Sequence, residues 1–306
     1  MLKQIFVFSL IFIFIVSGVV MADFPVTVTD DMGDKITINE KPERIISLAP
    51  ANTEVLFALD LEEKIVGVTT YANYPREAKA KEKIGTITEP NLEKIVSLEP
   101  DLIVANAVNK LETVKRLREL GYKVVGYDAE TVNDAISVIK QVGKITDREN
   151  KAQRIVTDMY LQLAEIKDLV DSKLKDCSRP KVFYEIWNQP LYTAGKNTFI
   201  NDIINIAGGI NIGAEAKGEW PQFSLEKLLL ENPDIYISSP HSAPHKVTVE
   251  SIKNRDNYKN LAAIKKDRVY IVNQDIISRA SPRIVKGLKE IVKAIFPDLA
   301  PEIDKI

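Results

Sequence analysis

The sequence predicts an α/β protein of two lobes, each built on a mainly parallel sheet, joined by a single long helix. Three observations lead there. Short runs rich in β-branched residues alternate with helical stretches in both halves, the pattern of strand–helix–strand units. A middle segment lacks Gly and Pro and repeats its apolar residues at helical spacing. One phrase is also written twice, NLEKIVSLEPDLIVAN from Asn91 to Asn106 and SLEKLLLENPDIYIS from Ser224 to Ser238, once on each side of that segment.

Taken in order, Lys3 precedes the apolar run QIFVFSLIFIFIVSGVV, and Val20 and Ala22 supply small residues at its end. Residues 1–22 therefore read as a secretory signal cut after Ala22. An uncleaved anchor is the alternative, because the run is close to the roughly 20 residues that span a bilayer. Either way the body of the chain lies outside the cytoplasmic membrane. The N-terminal lobe is assigned to residues 23–146. VTVTDDMGDKITI alternates apolar and polar residues about a Gly-containing turn, as a β-hairpin does. RIISLA, KIVGVT, DLIVA and KVVGYD are nearly continuous in apolar residues, as expected of parallel strands covered on both faces.

Residues 147–176 form the linking helix. Ala152, Ile155, Val156, Met159, Leu163, Ile166, Val170 and Leu174 recur at three- and four-residue steps, giving an amphipathic rod of about 40 Å. Asp147 is placed as its N-cap, and Arg179-Pro180 closes the segment. The C-terminal lobe, residues 177–306, resumes the alternation. It contains the strand KVFYEIW, a helix in NTFINDIINIAGG ended by Gly208-Gly209, the second copy of the repeated phrase, and the strand DRVYIVN. A last helix starts near Pro282, whose fixed φ suits a first turn.

Composition narrows the function. The chain has 306 residues, 45% of them hydrophobic and 27% charged, enough for two lobes with their own cores. Its formal charge is −2, and loss of the leader removes one lysine and no acid, giving −3. No basic run is interleaved with aromatics, which argues against nucleic acid. The one cysteine, Cys177, allows no intramolecular disulfide and comes too late for lipid attachment near the N-terminus. Nucleophile elbow, glycine-rich phosphate loop and paired cleft carboxylates are all absent from the sequence, so no enzyme is indicated.

In the repeated phrase, Asn91 or Ser224 can cap a short helix with its side-chain oxygen. Glu93 and Glu226 then sit in the first turn, where the helix dipole favours a carboxylate by about 0.3–1 kcal/mol. Locally, a helix start that folds well is a sufficient reason for the repetition.

The longer motifs say more. RIISLAPANTEVLFALDLEEKIVGVTTYANYP, NLEKIVSLEPDLIVA, WPQFSLEKLLLENPDIYI and RASPRIVKGLKEIV occur in series and together resemble the substrate-binding proteins of the cobalamin and iron-siderophore ABC importers, the cobalamin binders above all. The match runs from about Arg44 to the C-terminus. The resemblance implies a ligand cleft between the two lobes and no catalytic residues. It implies that Glu93 and Glu226 project toward the transporter and pair with arginines of its permease dimer. It also assigns cleft contacts: Tyr71 and Trp220 match aromatic positions, Tyr192 falls where another aromatic stands, and Asp275 and Arg279 match a polar pair. Ordinary packing is the alternative for each aromatic, and a mutual surface ion pair at i, i+4 for Asp275 and Arg279.

Two positions depart from the cobalamin binders, with Ile87 and Asn106 standing where they carry tryptophans. His241 and His245, the only histidines, lie in SPHSAPHKV, where the prolines argue against a helical metal site. They read as a solvated loop, the alternative being that one imidazole contacts the ligand or its metal. The expected protein is a monomeric, extracytoplasmic carrier without a cofactor of its own. Its cargo is a metal chelate, a corrinoid or alternatively a ferric siderophore or haem, delivered to an ABC permease dimer. An enzyme acting on metal chelates is the more distant alternative.

Overall fold

The computed structural model describes residues 24–240 and 247–306. The leader assigned to residues 1–22, His241 and His245 lie outside the described residues.

The first lobe opens with the expected hairpin, β1 (Val26–Thr29) against β2 (Lys35–Ile38), antiparallel with Val26 opposite Ile38. Four parallel strands follow: β3 (Ile45–Ser47), β4 (Ile65–Val68), β5 (Leu102–Asn106) and β6 (Val124–Tyr127). Their order across the sheet is β4-β3-β5-β6. The near-continuous apolar runs follow from this placement, since helices cover both faces and β3 and β6 are buried along their whole length. The chain moves from β3 outward to β4 and then back across to β5. That reversal is the point outside the carboxyl ends of an open sheet where ligands bind.

The second lobe repeats the plan. Its sheet contains β7 (Lys181–Asn188), β8 (Leu191–Thr193), β9 (Ile210–Asn211), β10 (Ile235–Ser238) and β11 (Val269–Ile271). The order is β11-β10-β7-β8, with β9 pairing the start of β7. Among the described residues of this sheet only β8 runs antiparallel. The stretch NQPLYTAG, for which the sequence announces no strand, is thus the turn and return strand of a hairpin. Three residues are too short for their alternation to be visible.

Between the lobes runs the linking helix, Glu149–Lys173. Ala152, Val156, Met159, Ile166 and Val170 are buried along it. They join one apolar core that reaches from Ile45 and Val104 of the first sheet to Tyr184 and Ile237 of the second. Each fully buried side chain of this kind contributes roughly 1.5–3 kcal/mol, so the helix is fused to both lobes and is no loose tether.

One boundary differs from expectation. Asp147 is not the N-cap. It adopts a left-handed φ of 56° in the break after the helix Val132–Ile145, and its carboxylate accepts from Lys41 Nζ at 2.7 Å. Arg148 takes the cap position without a side-chain bond. The helix beyond Pro282 begins at Ile284 and ends at Ile295, and a further turn, Ala300–Ile303, follows it.

Candidate functional site

The loops leaving β4 and β11 come from different lobes and meet. Tyr71 lies on the first of them with 58% of its surface exposed. Its carbonyl accepts from Arg279 Nη2 at 3.4 Å. Asn73, two residues on, accepts from Arg279 Nη1 at 2.7 Å and donates to Asp275 Oδ2 at 2.9 Å. Arg279 and Asp275 form the i, i+4 pair read from sequence, at 2.7 Å.

That pair is not a surface pair. The Arg279 side chain is 10% exposed, and its Nη1 also donates to Glu54 Oε1 at 2.9 Å. Glu54 stands in the helix Pro50–Ala58 of the first lobe, with a side chain 1% exposed. It accepts in addition from Ser281 Oγ at 2.6 Å, Arg283 Nε at 2.9 Å and Arg283 Nη2. One buried carboxylate therefore holds two arginines and a serine of the second lobe. Burial would lower the pKa of Arg283, but its hydrogen bond to Glu54 and the Glu54 charge outweigh this and leave it above the ordinary arginine value. Charge-assisted bonds of this kind need their partners, because an unpaired charge at this depth is costly.

The sequence alone does not single out Glu54. Glu54 follows Asn52 and Thr53 in the helix start, and its partners Arg279 and Arg283 in SRASPR lie more than 200 residues away, so no local pattern marks it. Beside the cluster, Arg283 stacks on the Tyr74 ring at 3.6 Å, and a pocket of about 490 Å³ opens. Tyr71, Tyr192 and Trp220 do not line it, so it is separate from the aromatic positions.

In the first lobe a second residue knits the strand ends together. Buried Asn109 donates from Nδ2 to the carbonyls of Leu48, at 3.0 Å, and Ile87, at 2.7 Å. Its Oδ1 accepts from the Asn106 amide at 2.7 Å. Ile87 and Asn106 therefore sit side by side on this scaffold. In the second lobe Tyr192 is half-buried and Trp220 is 52% exposed.

The two copies of the repeated phrase fold as read. Asn91 Oδ1 accepts from the Lys94 amide at 3.0 Å and starts the helix Leu92–Ser97. Ser224 Oγ accepts from the Lys227 amide at 3.1 Å and starts Leu225–Glu231. Glu93 and Glu226 are exposed in the first turn of each. The neighbouring lysines are turned away: Lys94 pairs with Glu82, and Lys227 lies over the Phe223 ring at 5.3 Å. Among the described residues neither Glu93 nor Glu226 has an ion-pair partner. One turn along, Val96 and Leu229 are exposed at matching places.

Residues 45–276 match the sequence profile of the periplasmic binding proteins. The chain belongs to that family. A Bacillus subtilis ABC transporter substrate-binding lipoprotein, itself uncharacterized, is 34% identical over 284 residues, covering 91% of this chain and 88% of the relative. The vitamin B12-binding protein of Salmonella typhi is 33% identical over 253 residues, 82% of this chain and 90% of the relative. Among solved structures, the periplasmic vitamin B12-binding protein of Vibrio cholerae superposes with a TM-score of 0.73 at 26% identity, over 85% of this chain and 98% of that one. As a periplasmic binding protein, the chain is a non-catalytic substrate-binding component of an ABC importer, acting outside the cytoplasmic membrane. That role implies a permease as partner.

Proposed function

We propose that this binding protein carries a corrinoid, held in the cleft between its lobes, to its importer. The observation that carries the reading is the exposure of aromatics at the positions matched to the cleft, Tyr71 on one lobe and Trp220 on the other, with half-buried Tyr192 beside Trp220. Large aromatic faces left open to water are suited to a broad apolar ring, while a few polar groups orient its rim. Asp275 is the rim group on this reading. Arg279 is mostly consumed by Glu54, Asn73 and Asp275 and acts from behind, fixing Asp275 and the Tyr71 loop. The two B12-binding relatives support the same cargo class.

Glu93 and Glu226 are the docking residues on this proposal. Each is exposed and free of the adjacent lysine, and the fused linking helix fixes their separation. Single exposed ion pairs contribute only about 0–1 kcal/mol, but two at a fixed distance set orientation and register.

A thermal-shift screen of the leaderless protein with cyanocobalamin, cobinamide, haemin, a ferric hydroxamate and a ferric catecholate tests the cargo. A ligand at 100 times its Kd stabilises by about 2.7 kcal/mol, several degrees for a protein of this size. A shift with the corrinoids alone supports the reading. A shift with haemin or the siderophores alone replaces the cargo and leaves the importer role standing.

A further inference from the structure

The second lobe carries one more aromatic at the cleft end of its sheet. Trp187 lies near the carboxyl end of β7, directly opposite Tyr192 on β8 in the antiparallel register. The ribbon continues one strand further. Tyr192 is bridged to Gln222, with the Thr193 amide donating to the Pro221 carbonyl at 3.1 Å and the Phe223 amide to the Leu191 carbonyl at 2.8 Å. Residues directly opposite each other in such a ladder share a face, as do residues two apart along a strand. Trp187, Tyr192, Gln222 and Trp220 therefore occupy one face. Burial agrees, since Leu191, Thr193, Pro221 and Phe223, on the other face, are all buried.

Trp187 does not serve the core. It is 40% exposed and belongs to none of the apolar clusters. Its indole Nε1 donates to the Gln189 carbonyl at 2.9 Å, which anchors the ring to its own turn. The chain has only two tryptophans, and both stand on this face. Three strands at about 4.8 Å spacing make the aromatic surface about 10 Å wide.

We propose that Trp187 is a further cargo-contacting residue, and that the face it forms with Tyr192 and Trp220 selects a flat conjugated macrocycle. The inference rests on the reading of the cleft given above. A planar ring presents the broad apolar face that such a surface matches, whereas a compact ferric hydroxamate presents oxygens and no extended plane. Trp187 also gives the second lobe an aromatic, while the first lobe has Ile87 and Asn106 around Asn109.

Calorimetric titration of wild type, Trp187→Ala, Trp187→Leu and Trp187→Phe with cyanocobalamin, haemin and ferric desferrioxamine tests this. For the planar probe that wild type binds, the Ala and Leu variants should weaken affinity about tenfold, equivalent to about 1.4 kcal/mol. Phe should return it to within about threefold, and the unliganded melting temperature should stay put because the side chain packs in no core. Wild-type affinity in Trp187→Ala, or equal losses in the Leu and Phe variants, overturns the role of Trp187 alone. Wild type binding neither planar probe overturns both this inference and the corrinoid reading.

Discussion

Glu54→Gln isolates the buried cluster that ties the lobes together. The substitution keeps the side-chain volume, removes the charge and turns one acceptor oxygen into a donor facing guanidinium N–H groups. Four hydrogen bonds converge on Glu54, from Arg279, Ser281 and twice from Arg283. Removing one partner of a buried pair costs about 3–5 kcal/mol. Arg279 keeps Asp275 and Asn73, so the lower end, about 3 kcal/mol, applies. Unfolding entropy of about 2.1 cal/mol/K per residue over roughly 280 folded residues converts this to a fall in Tm of about 5 °C. Calorimetry or circular dichroism at neutral pH reads it directly. Cargo affinity should fall as well, although the Glu54 side chain is only 1% exposed, because the Tyr71 loop and Asp275 both hang on Arg279. A Glu54→Gln protein melting within 1 °C of wild type would refute the assigned weight of the cluster.

Two further outcomes follow from contacts between the lobes. The Asp202 carboxylate accepts from the Val132 amide at 2.8 Å. Burial raises its pKa, the Val132 bond opposes this, and the Asp134 charge adds to the rise. An acid whose folded pKa is raised binds its proton more tightly when folded. Its contribution is fully present below the unfolded value, near 3.9, and is lost as pH rises through the folded value. Wild type should therefore gain stability relative to Asp202→Asn between pH 7 and pH 4; a gain in the opposite direction contradicts the sign. Separately, the shared apolar core and the Glu54 cluster leave little freedom for closure. Small-angle scattering should show nearly the same radius of gyration with and without cargo, and a large compaction would count against the fused-lobe picture.

The fold was legible because its signals are local. Parallel strands buried on both faces write unbroken apolar runs, as in Leu102 to Ala105, and Glu149–Lys173 writes its periodicity over seven turns. The capped helix starts at Asn91 and Ser224 were equally plain, since a cap and its first turn are a four-residue pattern. The site was only partly legible because its contacts are long-range. Glu54 meets Arg279 and Arg283 across more than 200 residues, and nothing in ANTE distinguishes a buried acid from a loop residue. Arg279, matched to a ligand position by resemblance, turned out to be largely occupied by protein partners. Trp187 looked like any strand residue until the register of β8 and the 219–223 segment placed it beside Tyr192. Asp147 misled because a cap and a left-handed helix break favour the same small polar residues.

The separation of a cargo face from a docking pair is tested most directly by a double charge reversal, Glu93→Arg with Glu226→Arg, measured two ways on one preparation. Calorimetry reads cargo binding, and transport into vesicles holding the cognate ABC importer reads delivery. The prediction is cargo affinity within about twofold of wild type and uptake reduced to background. Uptake at the wild-type rate in the double variant would contradict the assignment of these glutamates as the residues that address the transporter.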